Sequence, residues 1–224
     1  MENLMFVLEL IGAVAFAISG AMAAIKNRAD IFGVIFLAVM TALGGGVIRD
    51  VLLGNLPPKM FVSYAYFIVS VVAAIAVFAD AYIRREKYIL HRDRLDAVNN
   101  IFDAIGLAVF TISGMNTSMA VSDNVLLILI LGMATGVGGG MLRDVMTNTM
   151  PKVLRKRIYA VASLLGGGLY YGLYVLGVKE TVAAVSGMLL IVGLRLLATG
   201  YKWNLPAVSV DCSPVCGSVR LIFC

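Results

Sequence analysis

Charge is scarce in this chain: Asp, Glu, Lys and Arg together make up 14% of its 224 residues, whereas 61% are hydrophobic. With a mean hydropathy of +0.95, so much apolar surface cannot be hidden inside a water-soluble globule of this length. The composition therefore excludes a soluble domain and defines a polytopic membrane protein. Histidine occurs once, at His91 in a basic loop with Arg92 and Asp93, so there is no Ser-His-Asp order and no histidine-based metal cluster. Cysteine is missing from every apolar run, which therefore carries no thiol nucleophile. Cys212, Cys216 and Cys224 lie near the end, and three thiols without a nearby histidine make a poor zinc site. Residues 206–224 read as a disordered tail. No metal or cofactor is expected, and nothing points to an enzyme.

What the chain does have is long apolar runs. A bilayer core about 30 Å thick needs roughly 20 mostly apolar residues per helix, and seven such stretches occur, at about 3–25, 31–53, 62–83, 97–115, 123–147, 157–177 and 180–198. The fold class read from them is an all-α membrane protein with seven transmembrane helices. The first run carries Glu2 and Glu9 and lacks a basic leader and a small-residue cleavage site, so it reads as a retained helix. The net charge of +5 sits in short loops between runs, as topogenic charge does, and not on a basic face suited to nucleic acid. Lys26, Arg28, Arg84, Arg85, Lys87, Arg92, Arg94, Lys152, Arg155, Lys156 and Arg157 fall on one side. The N-terminus is thus expected outside the cell inner (plasma) membrane and the C-terminus in the cytoplasm.

The chain repeats itself. An offset of 94 residues aligns Phe16 with Phe110, Ser19-Gly20 with Ser113-Gly114, Gly44-Gly45-Gly46 with Gly138-Gly139-Gly140, Arg49-Asp50 with Arg143-Asp144, and Pro57 with Pro151. It pairs Glu9 with Asp103 more loosely. Each unit holds three predicted helices, so the second enters the membrane from the opposite side, giving two inverted three-helix repeats plus a seventh helix. The expected divisions are 1–90 and 91–178 for the repeats, 179–205 for the seventh helix and 206–224 for the tail. Inverted repeats recur in transporters, where two opposed copies of one element build a pathway opening to each side.

Three adjacent glycines cost a membrane helix roughly 1 kcal/mol each relative to alanine and free the backbone to leave helical geometry. The second and fifth helices are therefore expected to break at their triplets, with the freed carbonyls facing protein, water or an ion. Arg49 and Arg143 follow three residues later, and a guanidinium is expensive in hydrocarbon unless paired. Asp50 and Asp144 point about 100° away on a helix, which makes Glu9 and Asp103 the candidate partners. Small residues at Ala13, Ala17, Ala21 and at Gly168, Gly172 read as exposed faces for close helix contact, and Tyr64, Tyr66, Tyr82, Tyr159, Tyr170, Tyr171 and Trp203 as interfacial belts.

Ser-Gly in the first helix of each unit and Gly-Gly-Gly-x-x-Arg-Asp in the second, plus the seventh helix, resemble the prokaryotic branch of the trimeric intracellular cation (TRIC) channel family. The resemblance covers about residues 3–205. It implies a homotrimer in membrane lipid with a pore in each protomer, conducting monovalent cations, chiefly potassium and also sodium. It implies helix breaks at Gly44, Gly45, Gly46, Gly138, Gly139 and Gly140, with Arg49 and Arg143 gating or tuning the pore. Asp50, Asp144, Glu9, Asp103, Ser19 and Ser113 complete the expected ion pathway. The same family has been described as glycine transporters, so the alternative is a secondary carrier for glycine or a similar small zwitterion.

Overall fold

The computed structural model describes residues 2–84, 92–155 and 158–201. His91, Trp203 and the tail with its cysteines lie outside them. Among the described residues the protein is all helix: α1 (Glu2–Lys26), α2 (Ile31–Leu52), α3 (Lys59–Val62), α4 (Tyr64–Ile83), α5 (Arg92–Met119), α6 (Val125–Met146), α7 (Lys152–Arg155), α8 (Ile158–Val175) and α9 (Glu180–Gly200). Six of these are long and apolar enough to cross a membrane. The seventh, α8, is an 18-residue apolar helix packed against α9, α6 and α5.

The elements begin and end by the same local chemistry in both units. Asp30 caps α2 by accepting from the Gly33 N–H, and Asn124 caps α6 by accepting from Leu126 and Leu127. Beyond the other end of these helices, Gly54 and Asn148 take up the left-handed conformation, with φ of 71° and 51°, the geometry that glycine and asparagine adopt most readily. The following amides fold back, Asn55 N–H onto the Asp50 carbonyl and Thr149 N–H onto that of Asp144.

Packing is reciprocal. α1 packs on α2, α4 and α5, and α2 packs on α6. At the α2–α6 crossing a methyl on Gly45 would collide with the Thr135 carbonyl, and one on Gly139 with the Thr41 carbonyl. Leu142 fills the space at Gly44, and Ile48 that at Gly138. Phe16 and Phe110 stack between the units with centroids 5.4 Å apart, Phe16 lying on Gly106 and Phe110 near Gly12. The helix α9 packs on α5 and α8, closing onto α8 where Gly166 and Gly187 face each other's carbonyls.

The distribution of side chains suits lipid. Phe32, Leu126, Leu189 and Ile83 are exposed, while Ala13, Ala17, Ala38, Ser19, Ser113 and the charged side chains Glu9, Arg49, Asp103 and Arg143 are buried. Small residues let helix backbones meet, and polar groups turn inward away from hydrocarbon.

Two expectations are corrected here. The helices α2 and α6 run through Gly44, Gly45, Gly46 and Gly138, Gly139, Gly140 without a break. The glycines permit backbone-to-backbone contact at the crossing, and within a membrane the helical hydrogen bonds have no water to replace them. Ala13, Ala17 and Ala21 are fully buried within the protomer, because that stripe of α1 is used for internal packing; the space over Gly168 and Gly172 is open.

Candidate functional site

Each unit gathers a buried arginine, two buried carboxylates, a buried tyrosine and a partly or largely exposed lysine around a buried serine supplied by the other unit. In the first, Arg49 Nε donates to Asp50 Oδ1 at 2.8 Å, and Nη1 reaches Ser113 Oγ at 3.4 Å. Asp50 Oδ2 accepts from the Lys59 backbone N–H at 2.9 Å, which fixes the first turn of α3. Glu9 accepts from the Tyr66 and Ser113 hydroxyls and, at 3.1 Å, from the Lys59 ammonium. A cavity of about 30 Å³ opens beside these groups, lined by Glu9, Gly46, Arg49, Asp50, Lys59 and Tyr66 among others.

In the second cluster Arg143 Nη1 donates to Asp103 Oδ1 at 2.7 Å and to Ser19 Oγ at 2.5 Å, while Nε and Nη2 donate to Asp144 Oδ1 at 2.9 and 2.8 Å. Asp144 Oδ2 accepts from the Lys152 N–H at 2.8 Å. Asp103 also accepts from Arg195 Nη2 at 2.9 Å and from the Tyr159 hydroxyl at 3.3 Å, with the Lys152 ammonium 3.6 Å away. The Arg195 guanidinium lies over the Tyr159 ring, 4.2 Å from its centroid.

The antiparallel arrangement of α1 and α5 sets the clusters apart. Glu9 meets Ser113 near one end of the pair, and Ser19 joins Arg143 and Asp103 near the other. Ten residues along α1 separate Glu9 from Ser19, about 15 Å at helical rise. The α2–α6 crossing and the Phe16–Phe110 stack lie between.

All eight polar residues expected in the site are buried in these two clusters. Their pairing differs from expectation in two respects. Each arginine does bond its sequence neighbour, because the guanidinium is long enough to fold back across the 100° between adjacent positions. Asp103 pairs with Arg143 as expected, whereas Glu9 meets Lys59 and reaches Arg49 only through Ser113. Tyr66, Tyr159 and Tyr170 are buried, not interfacial, and Asn100 bridges Arg195 and Thr199 on α9. Sequence reasoning missed Lys59, Lys152, Tyr66, Tyr159 and Arg195. The first four repeat at an offset of 93, one shorter than the rest, because the first unit has an extra proline at Pro58. Arg195 is the one basic residue inside the last apolar run.

The clusters differ in charge. The first sets Arg49 and Lys59 against Glu9 and Asp50; the second sets Arg143, Lys152 and Arg195 against Asp103 and Asp144. Lys152 lies outside the membrane spans, its side chain 27% exposed. Burial pushes its ammonium down to about 8, a fall that Asp103 and Asp144 oppose and that Arg143 and Arg195 reinforce; Tyr159 also faces the cluster. The unfolded lysine, near 10.4, holds its proton where the folded one has lost it. Stability is therefore expected to rise from about pH 8 to about pH 10. Thermal unfolding over that range checks this, and Lys152→Met should flatten the rise.

Fold and clusters define a polytopic α-helical membrane protein with two corresponding three-helix units and an added helix. The family model described as glycine transporter matches twice, at residues 6–81 and 100–175. The chain belongs to that family, and to its prokaryotic TRIC channel branch. The UPF0126 inner membrane protein YadS of Escherichia coli is 35% identical over 93% of this chain and 98% of its own. A prokaryotic TRIC channel crystallised in 0.5 M KCl superposes with a TM-score of 0.83 at 34% identity, covering 92% of this chain and all of that one. The trimeric intracellular cation channel orthologue from Rhodobacter sphaeroides gives 0.81 at 27% identity, covering 90% and 100%.

Proposed function

We propose that this chain forms a channel for monovalent cations, potassium with sodium also passing, as a homotrimer with a pore in each protomer. The observation that carries this reading is the pair of buried charged clusters at either end of α1 and α5, on a framework shared with a trimeric cation channel orthologue. The units, 1–90 and 91–178, insert in opposite senses, since each crosses the membrane three times. The protein resides in the cell membrane with its N-terminus outside and C-terminus in the cytoplasm. The open space over Gly168 and Gly172 suits contact between protomers.

A fixed guanidinium in a pore opposes cation passage, so conduction requires it to be neutralised or drawn aside. Arg143 is held by two carboxylates and Ser19; Arg49 has one carboxylate and a longer contact to Ser113. Arg49 is therefore the movable gate and Arg143 the fixed wall. A charge moved across the whole membrane field is worth about 2.3 kcal/mol per 100 mV. Arg49→Gln is expected to change open probability several-fold and to alter its voltage dependence in single-channel recordings. Unaltered currents in Arg49→Gln, Arg143→Gln and the double variant would discard the arginine gate.

A carrier for a small zwitterion commonly holds the carboxylate at the N-termini of broken half-helices. The described helices α2 and α6 run unbroken, which removes that support.

A further inference from the structure

We propose that the first cluster is a binding site for one dehydrated monovalent cation, with Glu9 as its principal ligand, and that the Lys59 ammonium is the built-in occupant which the cation displaces. The proposal rests on the channel reading and adds a site and a regulator to it.

Charge balance carries the argument. With Lys59 in place the first cluster is neutral: Glu9 and Asp50 against Arg49 and Lys59. Withdrawing Lys59 leaves one net negative charge, which one monovalent cation restores to zero. Withdrawing Lys152 from the second cluster leaves Asp103 and Asp144 against Arg143 and Arg195, already neutral, so no cation is called for there. Arg195, on the helix that has no counterpart in the first unit, creates this difference.

Geometry fits the exchange. The Glu9 carboxylate is buried, whereas the Lys59 side chain is 56% exposed. The Lys59 backbone is pinned through its N–H to Asp50, so the side chain swings from a fixed base. A lysine ammonium is a compact point charge on a flexible stem, and the oxygens that accept it are those an alkali cation prefers. The Glu9 carboxylate and the Tyr66 and Ser113 hydroxyls supply them. The adjoining cavity of about 30 Å³ has room for one or two water-sized particles, and Gly46 keeps it open, with nothing within 4 Å of where a methyl would stand. At the equivalent Gly140 the Tyr159 hydroxyl occupies that space.

The test is equilibrium binding of thallous ion, a potassium mimic, to the purified full chain in detergent, read by thallium-205 NMR. Lys59→Met should bind thallous ion at least ten-fold more tightly than the unmodified protein, with potassium competing, and adding Glu9→Gln should abolish the gain. Lys59→Gln serves if Lys59→Met does not elute as folded protein. Affinity unchanged by loss of the lysine, or a gain that survives Glu9→Gln, overturns the proposal. Because binding is read without current, electrical silence in a bilayer would count against the channel reading and leave this result standing.

Discussion

Asp103→Asn is expected to destabilise the protein by about 3–5 kcal/mol, the usual cost of removing one partner from a buried ion pair. Asp103 is fully buried and receives Arg143, Arg195, Lys152 and the Tyr159 hydroxyl. Its loss leaves three cations facing Asp144 alone, two of them guanidinium groups that cannot shed a proton. Thermal unfolding in detergent checks the result, and Arg195→Met placed on the Asp103→Asn background should recover part of the loss by restoring neutrality. The corresponding Glu9→Gln change weakens the hydrogen bonds from the Tyr66 and Ser113 hydroxyls, but the one cation it strands, Lys59, is exposed, so a smaller loss of about 2 kcal/mol is expected. Equal effects at the two positions would contradict the asymmetry between the clusters.

The second large effect separates glycines within the triplets. Gly139→Ala should cost about 3 kcal/mol or more, at or beyond the upper end of ordinary overpacking, because the methyl meets the Thr41 carbonyl, a backbone atom that moves only if α2 and α6 part. Gly45→Ala meets the Thr135 carbonyl in the same way. Gly46→Ala should fold normally and gain up to about 1 kcal/mol in helix propensity, since the space there is open. Its methyl intrudes on the cavity beside Glu9, so unitary conductance should fall while stability holds. Unfolding measurements on the three variants, with recordings on Gly46→Ala, decide this. Stability lost equally at all three positions would return the triplets to a purely structural role.

Much of this architecture was legible because hydrocarbon thickness leaves a chain few choices: the runs at about 31–53 and 123–147 correspond closely to α2 and α6. The repeat brought Arg49, Asp50, Arg143 and Asp144 forward as a set, and all four are buried in the clusters. The glycine triplets misled because propensity describes an isolated helix. At the α2–α6 crossing the contact of two backbones and the lack of water favour unbroken helix. The small-residue stripe at Ala13, Ala17 and Ala21 announced a close neighbour without saying whether it lay inside the protomer. Lys59 and Tyr66 did not stand out as site residues because Pro58 shifts their register by one residue, and Arg195 because its partner Asp103 lies on another helix.

The central claim is that the two clusters bound a path for monovalent cations, and planar-bilayer recording of the purified protein in a potassium gradient, with and without glycine, tests it most directly. The account predicts discrete unitary currents that reverse near the potassium potential and are indifferent to glycine. Electrical silence, together with saturable glycine uptake into proteoliposomes, would contradict it.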